Sequence, residues 1–215
     1  MKIKIKNFNF GTISLDKFNK LNDLSLDLKD GDVVGLEGYN GAGKTTLLRI
    51  LNNIYPFEGT IENKKVISLI DVSACIDDEF NVEDNLNYMF SCYNLDKYNN
   101  KELQKRIINF ADLENEKNKI LRNFSSGMIS RLSVSFILHQ DANIFLLDEG
   151  ISTVDFMFKD KLKKKIFDLK KSGKIFILAS HNKEIIKDYC NKAIDFNNKS
   201  ISLKNISINS ENNTY

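Results

Sequence analysis

The chain has 215 residues, 42% hydrophobic and 28% charged, a balance typical of a globular domain and not of a disordered protein. Its 31 basic and 29 acidic residues leave a net charge of +2, so the composition gives no electrostatic basis for binding nucleic acid. No apolar run is long enough for a membrane span, and the first residues are not expected to form a signal peptide. The three cysteines are widely spaced and the chain has two histidines, which indicates neither a disulfide framework nor a Cys/His metal site. This use of cysteine is the one expected in a reducing cytoplasm.

Apolar segments predict strands that alternate with amphipathic helices along the chain. Strands are predicted in residues 3–8, 21–28, 33–36, 144–147 and 174–179. One helix is predicted after the strand 33–36 and ends at Pro56. A Lys-rich helix, with Leu162, Ile166 and Leu169 facing inward, is predicted between the strands 144–147 and 174–179. Residues 82–121 show helical patterning without a strong strand and are predicted to be a helical insertion. Together these elements predict a parallel sheet that is covered on both faces.

A glycine-rich loop follows the third strand. Residues 38–45 fit the pattern GxxxxGK[ST] between a buried strand and a helix, where backbone N–H groups and the helix N-terminus bind phosphate. Lys44 is expected to reach the β- and γ-phosphates, and the Thr45 hydroxyl to bind magnesium. The full set of predicted contacts to a nucleoside triphosphate is Gly38, Asn40, Gly41, Ala42, Gly43, Lys44, Thr45 and Thr46. The alternative is a chance glycine turn before an ordinary helix.

Polar residues follow two later strands. Asp148 and Glu149 end the apolar run 144–147, and carboxylates there reach the carboxyl edge of the sheet, where ligands bind. Asp148 is predicted to hold magnesium, and Glu149 to take a proton from the attacking water. His181 ends the next strand and is a candidate donor to the γ-phosphate. The alternatives are an acidic turn and a capping histidine.

The segment Phe124-Ser125-Ser126-Gly127-Met128, followed by a helix and the acidic strand, stands where one family has its signature sequence. With the other motifs it resembles the ATP-binding cassette ATPases over essentially the whole chain. The resemblance implies an α/β fold with a P-loop NTPase (RecA-like) core, an antiparallel β subdomain and a helical insertion subdomain. It places the nucleotide-binding domain at 1–205, its helical subdomain at about 72–135, and a short flexible tail at 206–215.

The resemblance also implies roles for single residues. Lys44, Glu149 and His181 would be catalytic, and the magnesium ligands would be Thr45, Asp148 and Asp71. Ser125, Ser126 and Gly127 would contact the nucleotide of a second subunit. Residues 152–155 stand at the D-loop. Phe10 is the choice for the aromatic ring that stacks on adenine and Phe18 the alternative, although either ring could equally be core.

This resemblance implies two ATP molecules buried between two copies of the chain, or between the chain and a homologue. ATP binding would close the pair and hydrolysis would reopen it.

The form of the signature narrows the class. Phe124 to Met128 followed by Arg131-Leu132 resembles the ATPase subunits of bacterial polysaccharide exporters for capsule, O-antigen and teichoic acid, and residues 66–71, 148–161 and 188–191 agree. Such a subunit uses ATP and Mg²⁺, lies at the cytoplasmic face of the cytoplasmic membrane, contacts the membrane through a permease, and powers transport of a lipid-linked glycan. The permease contact would involve the helical insertion and the Asp71 loop.

The sequence departs from the pattern at several positions. Asp71 stands where the family has its Q-loop Gln, Asn81-Val82 replaces an expected Thr-Gly, and Val154-Asp155 lacks an intervening Gly. With no extension after residue 205, a capsule-like branch or a short O-antigen branch is favoured. The alternatives are an exporter of lipid, drug or peptide, a non-transport ATPase of DNA repair or translation, and a non-hydrolysing nucleotide sensor.

Other side chains are assigned to packing or to the surface. Phe156 and Phe158 are predicted to be core, and Cys75, Cys92 and Cys190 to be small packed side chains. His139 is expected at the surface or at the edge of the core. The lysines of 159–174 are expected to form the solvated face of a helix.

Overall fold

A computed structural model of the protein describes residues 2–7, 21, 24–62, 65–70, 72–148, 154–197 and 203–206. These residues form two β-sheets and six α-helices. The strands are β1 Lys2–Asn7, β2 Leu24–Asp27, β3 Val33–Glu37, β4 Glu58–Ile61, β5 Val66–Ser68, β6 Ile144–Leu147, β7 Ile175–Ala179, β8 Lys192–Asp195 and β9 Leu203–Asn205. The helices are α1 Lys44–Leu51, α2 Val82–Cys92, α3 Lys101–Phe110, α4 Ser126–Leu138, α5 Phe156–Lys171 and α6 Lys183–Tyr189. Within these described ranges, no helix combines the length and the apolar character needed to cross a bilayer.

The larger sheet has six strands in the order β5-β6-β7-β3-β8-β9. All neighbouring pairs are parallel except β8 and β9 at one edge. Every residue of β6 and β7 is buried, as expected of parallel strands that are covered on both faces. Because β6, β7 and β3 are neighbours, the segments that follow them meet at one edge of the sheet.

The smaller sheet is antiparallel, in the order β2-β1-β4. In β2 the leucines Leu24 and Leu26 are buried while Ser25 and Asp27 are exposed, the alternation of a strand with one solvated face. The two sheets agree with the predicted parallel core and antiparallel subdomain.

Three helices, α2, α3 and α4, lie between β5 and β6 in the chain. Their apolar faces join the core beneath the larger sheet, where the rings of Phe90 and Phe136 pack edge to face with their centroids 5.0 Å apart. The Asn81 side chain accepts a hydrogen bond from Asp84 N and so caps α2. Asn81 therefore performs the capping that a Thr at this position would provide.

Gly35 in β3 allows an unusually close approach of α6. A Cβ atom at this position would lie 2.6 Å from Cγ2 and 2.8 Å from Cδ1 of Ile186. Any larger residue would therefore displace the Ile186 side chain and disturb the packing of α6 on the strand that leads into the glycine-rich loop.

Two of the packing predictions are wrong at single positions. Phe158 is buried, but Phe156 is 79% exposed because it opens α5 on the side away from the stripe of Phe158, Leu162 and Ile166. Cys190 is buried, and burial raises the pKa of its thiol to about 12. Cys92 is exposed at the last position of α2.

His139 follows the last residue of α4 and is held at the edge of the core. Its Nδ1 lies 2.7 Å from the carbonyl oxygen of Ser135, so this nitrogen carries the proton of the neutral ring. Burial lowers the pKa of His139 from 6.5 to about 4, and the nearby positive charges of Lys165, Arg106 and Lys161 add to that effect.

We expect this histidine to destabilise the fold in mild acid. Between pH 6.5 and about 4 the unfolded chain binds a proton that the native chain does not, so native stability falls as the pH falls through that window. The loss should reach about 1–2 kcal/mol after allowance for partial exposure. Urea unfolding of the wild type and of His139→Gln at several pH values measures it. An equal pH dependence in the two proteins would show that His139 contributes nothing.

Candidate functional site

The loop between β3 and α1 is shaped by glycines. Gly41 has φ +78° and Gly43 has φ +102°, conformations that side chains with a Cβ rarely adopt. Gly43 is the N-cap residue of α1 and gives its helix no side-chain hydrogen bond, and the first turn carries no acidic residue. The N-terminal N–H groups of α1 are thus left to an anion at the carboxyl edge of the sheet.

Lys44 is the first residue of α1 and is only 6% exposed. Its Nζ donates to the carbonyl oxygens of Gly38 at 2.7 Å and Tyr39 at 3.1 Å. These two charge-assisted hydrogen bonds offset the cost of burying the ammonium group and hold it inside the curve of the loop. The cation therefore lies where the loop gathers its N–H groups.

Thr45 and Asp148 are in direct contact although 103 positions separate them in the sequence. The Thr45 hydroxyl donates to Oδ2 of Asp148 at 3.1 Å, and both side chains are half-buried. Parallel strands bring them together, because Asp148 directly follows β6 and Thr45 lies in the helix after β3. A hydroxyl and a carboxylate oxygen are ligands of the kind Mg²⁺ prefers. In the described ranges no cluster of three or more His, Cys, Asp or Glu side chains is arranged for a metal.

His181 belongs to the same edge of the sheet. It follows β7, which lies between β6 and β3, and its side chain is exposed. The preceding Ser180 is buried, and its Oγ accepts a hydrogen bond from Asn182 N, which fixes the turn. The structure thus brings the loop, Asp148 and His181 to three adjacent strand ends.

The predicted signature residues begin α4. Ser125 is the N-cap, and its Oγ accepts a hydrogen bond from Met128 N at 3.2 Å. Ser125 and Ser126 are exposed and Gly127 is half-buried. No acidic residue lies in the first turn of α4, so its N-terminus is open to an anion as well.

Several predicted residues lie outside the described part of the chain: Phe10, Phe18, Asp71, Glu149, Ser152 and Thr153.

One buried polar residue of the helical region has no signal in the sequence. Asn85 is fully buried in α2, donates to the carbonyl oxygens of Asp77, Phe80 and Asn81, and accepts from Asp77 N. These four hydrogen bonds to backbone groups of one loop hold the segment that precedes α2 in place.

Comparisons with known proteins give the family. The sequence model of the ABC transporter family matches residues 21–152. The teichoic acids export ATP-binding protein TagH of Staphylococcus saprophyticus is 33% identical over 176 residues, which cover 81% of this chain and 67% of that protein. The TagH of Lactococcus lactis is 34% identical over 184 residues, 84% of this chain and 39% of that protein. The chain thus spans 39% to 67% of the length of these two relatives.

The fold is that of solved cassettes. The ADP conformation of an ATP-binding cassette of an ABC transporter has a TM-score of 0.73 at 20% identity and covers 96% of this chain and 92% of its own. This likeness confirms the predicted fold class, and the TagH proteins confirm the resemblance to ATPase subunits of polysaccharide exporters. The chain therefore belongs to the ATP-binding cassette (ABC) transporter family and is one of its ATPases.

Proposed function

We propose that this chain is the ATP-hydrolysing subunit of a bacterial exporter that moves a lipid-linked polysaccharide of the teichoic acid type across the cytoplasmic membrane. The observation that supports ATP hydrolysis is the hydrogen bond between Thr45 and Asp148, because it brings the helix after the phosphate-binding loop into contact with the end of the acidic strand. Support for the cargo comes from the TagH relatives and from the Ser125-Ser126-Gly127 form of the signature.

ATP would bind with its phosphates in the loop of residues 38–43 and at the N-terminus of α1. Lys44 is already held inside the loop and has only to exchange carbonyl oxygens for β- and γ-phosphate oxygens. Thr45 and Asp148, with Asp71 as a further candidate, would hold Mg²⁺, which when bound neutralises charge between the β- and γ-phosphates.

Hydrolysis needs a proton acceptor for the attacking water, and Glu149 next to Asp148 is assigned that role. His181, exposed at the neighbouring strand end, would donate a hydrogen bond to the γ-phosphate. These groups would lie around one phosphate, where they would position the reactants and stabilise the charge of the transition state. Phosphoryl transfer depends mainly on these two effects.

The active form would be a homodimer with two ATP molecules between its copies. Ser125, Ser126 and Gly127 at the start of α4 would complete the site of the other copy, where the open helix N-terminus suits a γ-phosphate. Membrane attachment at the cytoplasmic face would come from a permease that docks on the helical region and the Asp71 loop.

The test of this function is chromosomal replacement of Glu149 by Gln in the bacterium that carries the gene. We expect surface polysaccharide to be lost and lipid-linked polysaccharide to accumulate in the cytoplasm. Glu184→Gln, which changes an exposed carboxylate of α6 in the same way, is the matched control and should export normally. Normal surface polysaccharide in the Glu149→Gln strain would refute the proposed cargo.

A further inference from the structure

The seam between helices α3 and α5 carries three cations near one aromatic ring. The Nζ atoms of Lys161 and Lys165, one turn apart on α5, lie 5.1 and 5.8 Å from the centre of the Phe110 ring. Arg106 lies one turn before Phe110 on α3, and residues four apart share one face of a helix. Two helices thus bring three positive charges to the same place on the surface.

The ring beneath these cations is fixed by its neighbours. Phe110 packs edge to face against Phe158, with the ring centroids 5.4 Å apart, and against His139, with the centroids 5.1 Å apart. Phe158 is 1% exposed and belongs to the core. The cations therefore lie on a preformed support, so that little conformational entropy would be lost when they bind a ligand.

Among the described residues, only one of the three cations is paired with a carboxylate. Lys161 donates to Oδ1 of Asp112 at 2.7 Å and to the carbonyl oxygen of Asn109 at 3.2 Å. Within the same ranges, the side chains of Arg106 and Lys165 form neither an ion pair nor a hydrogen bond. Two of the charges at the seam are thus left without a bound counter-charge.

This arrangement of charge is costly to the native fold. Burial lowers the pKa of the half-buried Lys165, and the charge of Arg106 lowers it further, while Asp168 acts in the opposite direction. Like charges four residues apart on a helix, such as Lys161 and Lys165, also repel each other. An anion bound between Arg106 and Lys165 would remove much of this cost.

The seam is separate from the phosphate-binding loop. Phe110 packs on the core that lies on one face of the larger sheet, with Phe145 and Phe176. Helix α1 packs on the opposite face, with Leu146 and Ile177, the alternate residues of the same strands. A ligand at the seam would therefore be a second ligand, bound apart from the nucleotide at α1.

We propose that Arg106 and Lys165 form a second anion site, which binds a phosphate monoester at the seam between α3 and α5. The guanidinium group of Arg106 can hold two phosphate oxygens at once, and the Lys165 ammonium group adds a point charge. A phosphate monoester carries nearly two negative charges at neutral pH, which matches the two unpaired cations, whereas a carboxylate carries one. The phosphate belongs to a small soluble compound or to the head group of a lipid. This inference does not depend on the proposed transport function.

Isothermal titration calorimetry with inorganic phosphate, at constant ionic strength, tests for the soluble form of the ligand. The full chain carries Lys44→Met in this experiment, because the phosphate-binding loop would otherwise bind the same anion. We expect one phosphate per chain, with an affinity that falls about 10- to 100-fold in Arg106→Met and in Lys165→Met. Both changes keep an unbranched stem and remove repulsion between cations, so the midpoint of thermal unfolding without phosphate should not fall.

The matched control is Lys164→Met. Lys164 is exposed and lies one position before Lys165, so it projects from a different side of α5. Its removal changes the net charge by the same amount as the removal of Lys165. We expect the control to bind phosphate as tightly as the Lys44→Met parent does.

Co-sedimentation with phosphatidylcholine vesicles, with and without phosphatidic acid, tests for the lipid form. Binding that requires phosphatidic acid, and that is lost in Arg106→Met and Lys165→Met but kept in Lys164→Met, would identify a lipid head group as the ligand. The same pattern with inorganic phosphate, and no binding to either kind of vesicle, would identify a soluble phosphate compound.

Three results would overturn the inference. The first is that neither inorganic phosphate nor phosphatidic acid binds to the Lys44→Met parent. The second is that Arg106→Met and Lys165→Met bind as the parent does. The third is that Lys164→Met loses as much affinity as Lys165→Met, since general attraction to a positive surface would then explain the binding.

Discussion

Replacement of Glu149 by Gln is expected to slow ATP turnover by about 10²–10⁴-fold and to leave ATP binding intact. Glutamine has the shape of glutamate but cannot accept a proton from water, so the ground-state contacts stay while the general base is lost. In the proposed site the phosphate contacts come from Lys44, Thr45 and the loop, and the change touches none of these residues. Phosphate release at saturating Mg-ATP measures turnover, and a fluorescent ATP analogue measures affinity. Unchanged hydrolysis would remove Glu149 as the base.

The same variant should dimerise when ATP is added, because the bound triphosphate is no longer consumed. Light scattering during size-exclusion chromatography, with and without ATP, follows the change in mass. Lys44→Met in the Glu149→Gln background is the control and should stay monomeric for lack of bound nucleotide. A strict monomer at saturating ATP would contradict the proposed arrangement of two ATP molecules between two copies.

The central strands are the part of the fold that can be predicted from sequence. Uninterrupted apolar runs at 144–147 and 175–179 predicted β6 and β7, and every residue of these strands is buried. The inward positions Leu162 and Ile166 of α5 followed from helical spacing in the same way. Hydrophobic periodicity works here because burial on the sheet leaves little choice of residue.

Single residues at the ends of elements were harder to predict. Phe156 and Cys92 are the first residue of α5 and the last residue of α2, and both are exposed although they are apolar. Asn85 is polar yet fully buried, because its partners are backbone groups of a loop whose shape no local pattern encodes.

The candidate site also has some features that the sequence predicts and others that it does not. The spacing of glycines and Lys44 predicts the phosphate loop, since the constraint is local and geometric. The contact of Thr45 with Asp148 follows only from strand order. Tertiary contacts of this kind have no signature in one sequence, although they determine how the site can work.

Removal of the Lys44 cation should weaken Mg-ATP binding by about 10²–10³-fold, since charge-assisted hydrogen bonds to phosphate contribute about 1.5–3 kcal/mol each. Lys44→Met keeps the buried stem and deletes only the ammonium group, which is now held by the carbonyl oxygens of Gly38 and Tyr39.

Thermal unfolding with and without Mg-ATP tests this prediction, because a ligand that binds only the native state raises the midpoint by an amount that grows with the logarithm of its affinity. The wild type should gain stability and Lys44→Met should not. Lys65→Met, an exposed lysine just before β5 at the opposite edge of the sheet, should respond as the wild type does. Equal stabilisation of Lys44→Met and wild type would mean that the phosphates do not lie in the loop. Loss of stabilisation in Lys44→Met together with its retention in Lys65→Met would show that the buried Lys44 cation contributes the binding energy. The folded loop already holds this cation in place through two carbonyl oxygens.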